Sequence, residues 1–311
     1  MGDWNFADVW ETVAGQIPDA PAQIHGERRE TWADFDARAN GVAQWLLDLG
    51  ATEQDKVAQY LYNCPEYLDS LYGALKAGCV PVNTNYRYNE EELLYLWDNA
   101  DAVAVVFHGA FTERIEPLRN KLDKVKGWLW VDDGSGPCLE WATPFEEVAS
   151  RGVSGASVQG PWGRSGDHIV MLYTGGTTGM PKGVMWRQDD LIVLLMGALG
   201  GGVPEEADMN VIRERVNAPG AIALPACPLM HGTGLFSSFV ILSGGGSIVT
   251  LTKRNFDVEE FLDTIVREKV FATAIVGDAF AKPMLRALDE NPGRWDISSL
   301  FAITSSGVMW S

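Results

Sequence analysis

The stretch Ile169-Val-Met-Leu-Tyr173, continued by Thr174-Gly-Gly-Thr-Thr-Gly-Met-Pro-Lys-Gly183, decides how the rest of the sequence is read. Its first five residues form an uninterrupted apolar run of the kind found in buried strands. The run passes straight into a loop built for close contact with a ligand. Gly175, Gly176 and Gly179 let the backbone approach, Thr174, Thr177 and Thr178 supply hydroxyls, and Lys182 supplies a positive charge. Together they are the groups that hold a polyphosphate. The spacing is not that of the GxxxxGK[ST] phosphate loop, because Pro181 stands between Met180 and Lys182 and Gly183 follows the lysine. Gly232-x-Gly234 is not a dinucleotide fingerprint either, since Ser237 occupies the place of the third glycine.

Outward from this loop, helical and strand patterns alternate in both directions. Upstream, Thr31 caps a helix whose apolar face is Phe35, Val42, Trp45, Leu46 and Leu49, ended by Gly50. Strands are predicted at Val57–Leu61, Val80–Val82, Ala102–Phe107 and Trp128–Val131, with helices at Glu66–Lys76 and Glu90–Trp97. Residues 132–164 are rich in Gly, Pro, Ser and acidic side chains, and carry no sustained period. Downstream, strands are predicted at Ala221–Leu224, Ser247–Leu251, Phe271–Ile275 and Leu300–Thr304. Helices are predicted at Gln188–Leu199, Leu235–Leu242, Val258–Glu268 and Ala279–Leu288. Such alternation predicts an α/β fold of two packed lobes with largely parallel sheets. The first lobe is expected over residues 1–165, and the second, carrying the phosphate loop, over residues 166–311.

Composition narrows the function. The 311 residues include 24 Lys+Arg against 42 Asp+Glu, a net charge of −18, which disfavours nucleic acids and anionic membrane surfaces as partners. A nucleotide site stays open, because screening over about 8 Å leaves local amides and one nearby cation in control. Cys64, Cys79, Cys138 and Cys227 are too scattered for a zinc site and are expected to be buried free thiols, as in a reducing cytoplasm. The N-terminus carries Asp3, Asp8 and Glu11 where an export signal needs cations, and Pro219, Pro225 and Pro228 interrupt the charge-free segment after Ala218. No integral membrane segment is expected. The acidic groups Glu90–Glu92 and Asp189–Asp190 are read as helix N-termini and solvated faces, so no metal ligands are assigned. His25, His108 and His168 have no motif around them and are given structural or surface roles.

Tyr173–Val184 resembles the hallmark loop of the adenylate-forming superfamily, which includes acyl-CoA synthetases, luciferase-like enzymes and the adenylation domains of peptide synthetases. Gly78-Cys-Val-Pro-Val-Asn83 with Glu92-Leu93, Pro228-Leu-Met-His231-Gly-Thr-Gly234 and Ser305-Ser306-Gly307-Val308-Met309 resemble further segments of that family, in the right order. The last match is looser, because Ser306, Val308 and Met309 replace small residues or proline. Val276-Gly-Asp278 and the string from Tyr173 to Trp186 look most like actinobacterial ligases for long-chain or steroid-side-chain acids.

The resemblance implies a fold, an activity and roles for individual residues. Thr174, Gly175, Gly176, Thr177, Thr178, Gly179 and Lys182 would bind the phosphates of ATP, and Ser305, Ser306, Gly307 and Val308 the adenine. His231 would orient the acyl carboxylate, with Val276 and Gly277 as further acid contacts, and Lys182 and His231 as the residues closest to the chemistry. The implied substrates are Mg2+-ATP, a carboxylic acid and CoA, in an acid–thiol ligase that forms acyl-AMP. A carrier-protein-loading adenylation domain and a non-catalytic nucleotide- or acyl-binding module are the alternatives. The family's later magnesium-binding glutamate, ribose aspartate and C-terminal lysine do not appear before Ser311, so the sequence resembles the front portion of a longer enzyme with little activity alone. Oligomeric state is left open.

Overall fold

The computed structural model describes residues 2–176, 179–198 and 202–308. Its strands are β1 Pro21–His25, β2 Arg28–Thr31, β3 Lys56–Tyr60, β4 Val80–Asn83, β5 Ala102–His108, β6 Gly127–Val131 and β7 Thr143–Pro144. They continue with β8 Ile169–Gly176, β9 Gly179–Arg187, β10 Ile222–Pro225, β11 Ser247–Thr250, β12 Ala272–Ile275 and β13 Ala302–Ser305. The helices are α1 Phe6–Gln16, α2 Trp32–Asp48, α3 Pro65–Lys76, α4 Glu90–Asn99, α5 Thr112–Arg119 and α6 Phe145–Ala149. After them come α7 Gln188–Ala198, α8 Met209–Arg215, α9 Gly232–Ser243, α10 Val258–Glu268 and α11 Asp278–Glu290.

Two sheets organise the molecule, with strand orders β7-β6-β5-β3-β4-β8-β9 and β13-β12-β10-β11-β1-β2. All neighbours run parallel except the two hairpins at the edges, β8/β9 and β1/β2. Helix α2, α3 and α9 lie between the sheets, where Trp10 of α1 packs edge-on against Tyr72 and Phe239 at 5.3 Å in each case. The outer face of the seven-stranded sheet is covered by α4 and α5, and that of the six-stranded sheet by α10 and α11. Five layers result, with the largest core in the middle.

Local signals account for most boundaries. Thr31 Oγ1 accepts from Asp34 N–H at 3.1 Å, and Asp34 returns the bond to Thr31 N–H at 2.9 Å, a capping box that starts α2. Asn89 and Glu92 start α4 in the same way, which is the role read for that acidic cluster. Helix α11 begins at Asp278, ahead of its apolar period, after the N-cap Gly277, whose φ of +55° is open to glycine at little cost.

The segment after Tyr173 departs from the loop reading. It turns back as β9, pairing Leu172 with Val184, Tyr173 with Gly183 and Thr174 with Lys182. Its Gly, Pro and Lys content argues against a strand in isolation. As the sheet's outermost strand, however, β9 needs only one bonded side, and that position tolerates Pro181. Residues 132–164 hold only the two-residue β7 and the short α6. Sheet membership also crosses position 165 in both directions: β8 and β9 complete the sheet of the earlier strands, while β1 and β2 extend the sheet of the later ones.

Candidate functional site

The C-terminal ends of β1, β3, β4, β5, β6, β10, β11 and β12 open on one crevice, the usual place for a ligand in open α/β sheets. A cavity of about 600 Å³ lies there. Much of its wall comes from residues at or just past strand C-termini: Tyr62, Arg87, His108 and Asp133 from the seven-stranded sheet, and His25, Pro228, His231, Arg254 and Val276 from the six-stranded one. A smaller cavity of about 110 Å³, lined by Asn83, Tyr173, Thr174, Gly175, Met230, His231 and Gly232, adjoins the phosphate-loop strand. Met230 and His231 line both cavities.

The hairpin sets the loop side of this site. Alternation along β8 sends Leu172 into the central core and Tyr173 to the outer one, where its hydroxyl donates to Asn99 Oδ1 at 2.7 Å. Thr174 therefore points back toward the crevice, and Lys182, its cross-strand partner, shares that face of the ribbon. Thr174, Gly175 and Lys182 are exposed, and Lys182 makes no ion pair among the described residues. Gly176 and Gly179 pair at the hairpin end. Thr177 and Thr178 lie outside the described residues.

Two asparagines from the seven-stranded sheet fix the segment that carries His231. Asn83, at the end of β4, is 5% exposed; its Nδ2 donates to Tyr173 O at 3.0 Å and Met230 O at 2.7 Å, and its Oδ1 accepts from Tyr173 N–H at 2.6 Å. Asn63, just past β3, donates to Cys227 O at 3.1 Å and accepts from Leu229 N–H at 2.7 Å. One side chain thus ties the hairpin strand to the histidine segment, and the second anchors that segment across the crevice. His231 is the N-cap of α9 and gives that helix no side-chain cap, leaving the first-turn N–H groups for an anionic occupant. His231 is an exposed residue whose imidazole is partly desolvated by the cavity walls, and Arg87 adds positive charge. Both hold its pKa below the ordinary histidine value, so the ring is neutral at physiological pH.

The residues matched to adenine binding form a separate cluster on the other sheet. Ile275 pairs with Ser305, and Ser305 Oγ accepts from Gly277 N–H at 3.0 Å. Gly307, at φ +88°, sits where a Cβ would meet Val276 Cγ1 at 3.6 Å. Of this group only Val276 lines the large cavity. Gly277 is beside it, Ser305 is half-buried, and Ser306, Gly307 and Val308 are exposed at the β13 edge. Met309 lies outside the described residues. The structure therefore joins Thr174, Gly175, His231 and Val276 through two adjoining cavities, and leaves Lys182 and Ser305–Val308 at their margins.

Reasoning from sequence missed four contributors. Asn63 and Asn83 are recognisable only once the strands are placed side by side. His25 and His108, read as structural or surface residues, both line the large cavity. His168 is buried and bonded to Glu53 at 3.1 Å, as a structural histidine should be. All four cysteines are free. Among the described residues no three His, Cys, Asp or Glu side chains gather as metal ligands, and no helix is long and apolar enough to cross a membrane.

A crevice at the strand ends, flanked by a glycine- and hydroxyl-rich hairpin and an uncapped helix, makes this an α/β protein with a site suited to an anionic ligand. The chain belongs to the AMP-binding enzyme family, whose sequence model matches residues 10–308. It is 34% identical over 313 residues to a medium/long-chain-fatty-acid–CoA/3-oxocholest-4-en-26-oate–CoA ligase of Mycolicibacterium smegmatis, covering 99% of this chain and 56% of that protein. Medium-chain acyl-CoA ligase Mig of Mycobacterium avium is 34% identical, with 97% and 57% covered. The chain thus spans little more than half the length of these relatives. Among solved structures, the anthranilate CoA ligase AuaEII in complex with anthranoyl-AMP superposes with a TM-score of 0.82 at 21% identity, covering 98% of this chain and 55% of that one. The N-terminal domain of FACL13 from Mycobacterium tuberculosis gives 0.78 at 20% identity, with 99% and 71% covered. These two likenesses concern the fold.

Proposed function

We propose that this chain is the nucleotide- and acid-binding part of an acyl-CoA synthetase acting on a fatty or related carboxylic acid. The observation that carries the reading is the meeting of two cavities at His231, one bordered by the phosphate-loop hairpin and the other large enough for an acyl group. The similarity to fatty-acid and steroid-acid CoA ligases supports the same chemistry.

In this reading Thr174 and the Gly175 backbone bind phosphate oxygens, and Lys182 carries the charge that faces the β- and γ-phosphates. The α9 N-terminus and the neutral His231 Nε2 or Nδ1 proton donor hold the acid's carboxylate. No base is required, because the carboxylate is already ionised near neutral pH. A carboxylate oxygen attacks the α-phosphorus, the bond to the bridging oxygen of pyrophosphate breaks, and acyl-AMP remains. The thiolate of CoA then attacks the acyl carbonyl and expels AMP. Holding carboxylate and phosphate in line supplies much of the rate by positioning. The described residues offer no ligand set for magnesium, so the metal is taken to arrive on the phosphates of ATP, and no step is assigned to it. Val276 and Gly277 are assigned to the acid pocket, and Ser305–Val308 to the adenine. The free thiols suit a reducing cytoplasm, where we place the protein.

A non-hydrolysable alkyl sulfamoyl adenosine, which mimics the acyl-AMP, tests this reading by calorimetry. It should bind more tightly than AMP or the free acid, because it fills both cavities at once. Affinity no better than that of AMP would contradict it.

A further inference from the structure

Four cationic side chains line the large cavity: Arg28, Arg87, Lys253 and Arg254. Three are neutralised by an acid of the protein itself, Arg28 by Glu66 at 2.5 Å, Lys253 by Asp257 at 2.5 Å and Arg254 by Asp133 at 2.8 Å. Arg87 makes no ion pair among the described residues; its guanidinium lies over the Tyr86 ring, 5.9 Å from the centroid. In a chain of net charge −18, a cation that lines a cavity without a carboxylate beside it keeps its charge for a ligand.

The turn that carries Arg87 is built to hold it in place. Asn85 starts the turn: its carbonyl accepts from Tyr88 N–H at 3.0 Å, and its Oδ1 accepts from Arg87 N–H at 2.9 Å. Arg114 of α5 pins the carbonyls on either side, donating to Tyr86 O and Tyr88 O at 3.1 Å each, and it also donates to the Tyr60 hydroxyl at 2.8 Å. The backbone at Arg87 is thus fixed from within, while its side chain is exposed and lines the cavity.

The same strand end sets its position relative to His231. Arg87 comes shortly after β4, and Asn83 at the end of β4 donates to Met230 O, next to His231, at 2.7 Å. After partial desolvation, it is the charge of Arg87 that lowers the His231 pKa, so the two groups share one part of the cavity. A neutral His231 can donate one hydrogen bond to a carboxylate but cannot offset its charge.

We propose that Arg87 is the counter-ion of the acid's carboxylate, pairing with it beside His231 and selecting the ionised acid over neutral molecules of the same shape. The inference rests on the ligase reading above and deepens it. A charge-assisted bond from the guanidinium is stronger than the neutral bond that His231 offers.

The test compares octanoic acid with octan-1-ol at neutral pH, by calorimetry on this chain with AMP present. The variant is Arg87→Gln, which removes the charge at an exposed position and keeps a polar side chain. Octanoate should bind the unaltered chain about tenfold more tightly than the alcohol, and the variant should lose that advantage while its AMP affinity stays the same. A preference for octanoate that survives Arg87→Gln overturns the role of Arg87 and leaves the ligase reading standing. So does an AMP affinity that falls in step with that of octanoate, because Arg87 would then serve the nucleotide. Equal binding of octanoate and octan-1-ol to the unaltered chain, or binding of neither when AMP binds, overturns both.

Discussion

Replacing Asn83 with alanine should loosen the site at its centre. The side chain makes three hydrogen bonds while 5% exposed: one accepted from Tyr173 N–H and two donated, to the carbonyls of Tyr173 and Met230. At about 0.5–1.5 kcal/mol net for each, with buried partners left unsatisfied, the loss comes to about 3 kcal/mol. The bonds connect the hairpin strand to the segment that presents His231, so nucleotide affinity should fall as well as stability. Urea unfolding measures the first effect through the midpoint and slope, and calorimetry with ATP the second. Asn83→Asp, which keeps the volume and one acceptor but aims a carboxylate at two carbonyls, should be at least as damaging at neutral pH. A cost below about 1 kcal/mol with unchanged ATP affinity would refute the view that Asn83 holds the two halves of the site together.

Other perturbations follow from buried charge. Lys76 is fully buried, and its Nζ bonds Glu11 at 2.6 Å and Asp36 at 2.7 Å, so Lys76→Met should destabilise by about 3 kcal/mol in the same unfolding assay. The cost stays at the low end of its class because Asp36 keeps bonds from Tyr72, Ser154 and Gly155. His108 should make the fold acid-sensitive. Burial lowers its pKa from 6.5 to about 4, with Asp133 and Glu66 opposing and Arg254 and His25 assisting. The folded state therefore binds fewer protons than the unfolded one: the contribution is intact above pH 6.5 and is lost as pH falls toward about 4, by about 3 kcal/mol in all. Unfolding curves of the unaltered chain and His108→Asn should converge by that amount over this window; parallel curves would show that His108 does not titrate with unfolding.

What was legible in the sequence was whatever depends on near neighbours along the chain. Capping at Thr31 and the apolar face of α2, the β3 to β6 runs and the alternation of element types all follow from local chemistry, and so does the parallel architecture. The phosphate loop was legible as a composition of Gly, Thr and Lys, and its strand pairing was not. Partnership with β8 overrides the low strand propensity of Gly179–Gly183, and only the sheet reveals it. The same limit hid the site's supports. Asn63, Asn83 and His108 stand in three different strand–helix connections or strand ends, and they face the crevice together only because β3, β4 and β5 lie side by side. Helix α1 was also missed, although Asn5 caps it through Asp8 N–H at 2.9 Å. Its apolar residues matter because they fill the layer between the sheets.

The claim on which the account turns is that the tip of the β8/β9 hairpin holds the outer phosphates of ATP. Titration of the chain with Mg2+-ATP and with AMP, before and after Lys182→Ala, measures this directly. The account predicts that ATP affinity falls about tenfold or more while AMP affinity changes little, because only ATP carries the β- and γ-phosphates that the lysine faces. Equal ATP affinity in the two proteins would contradict it.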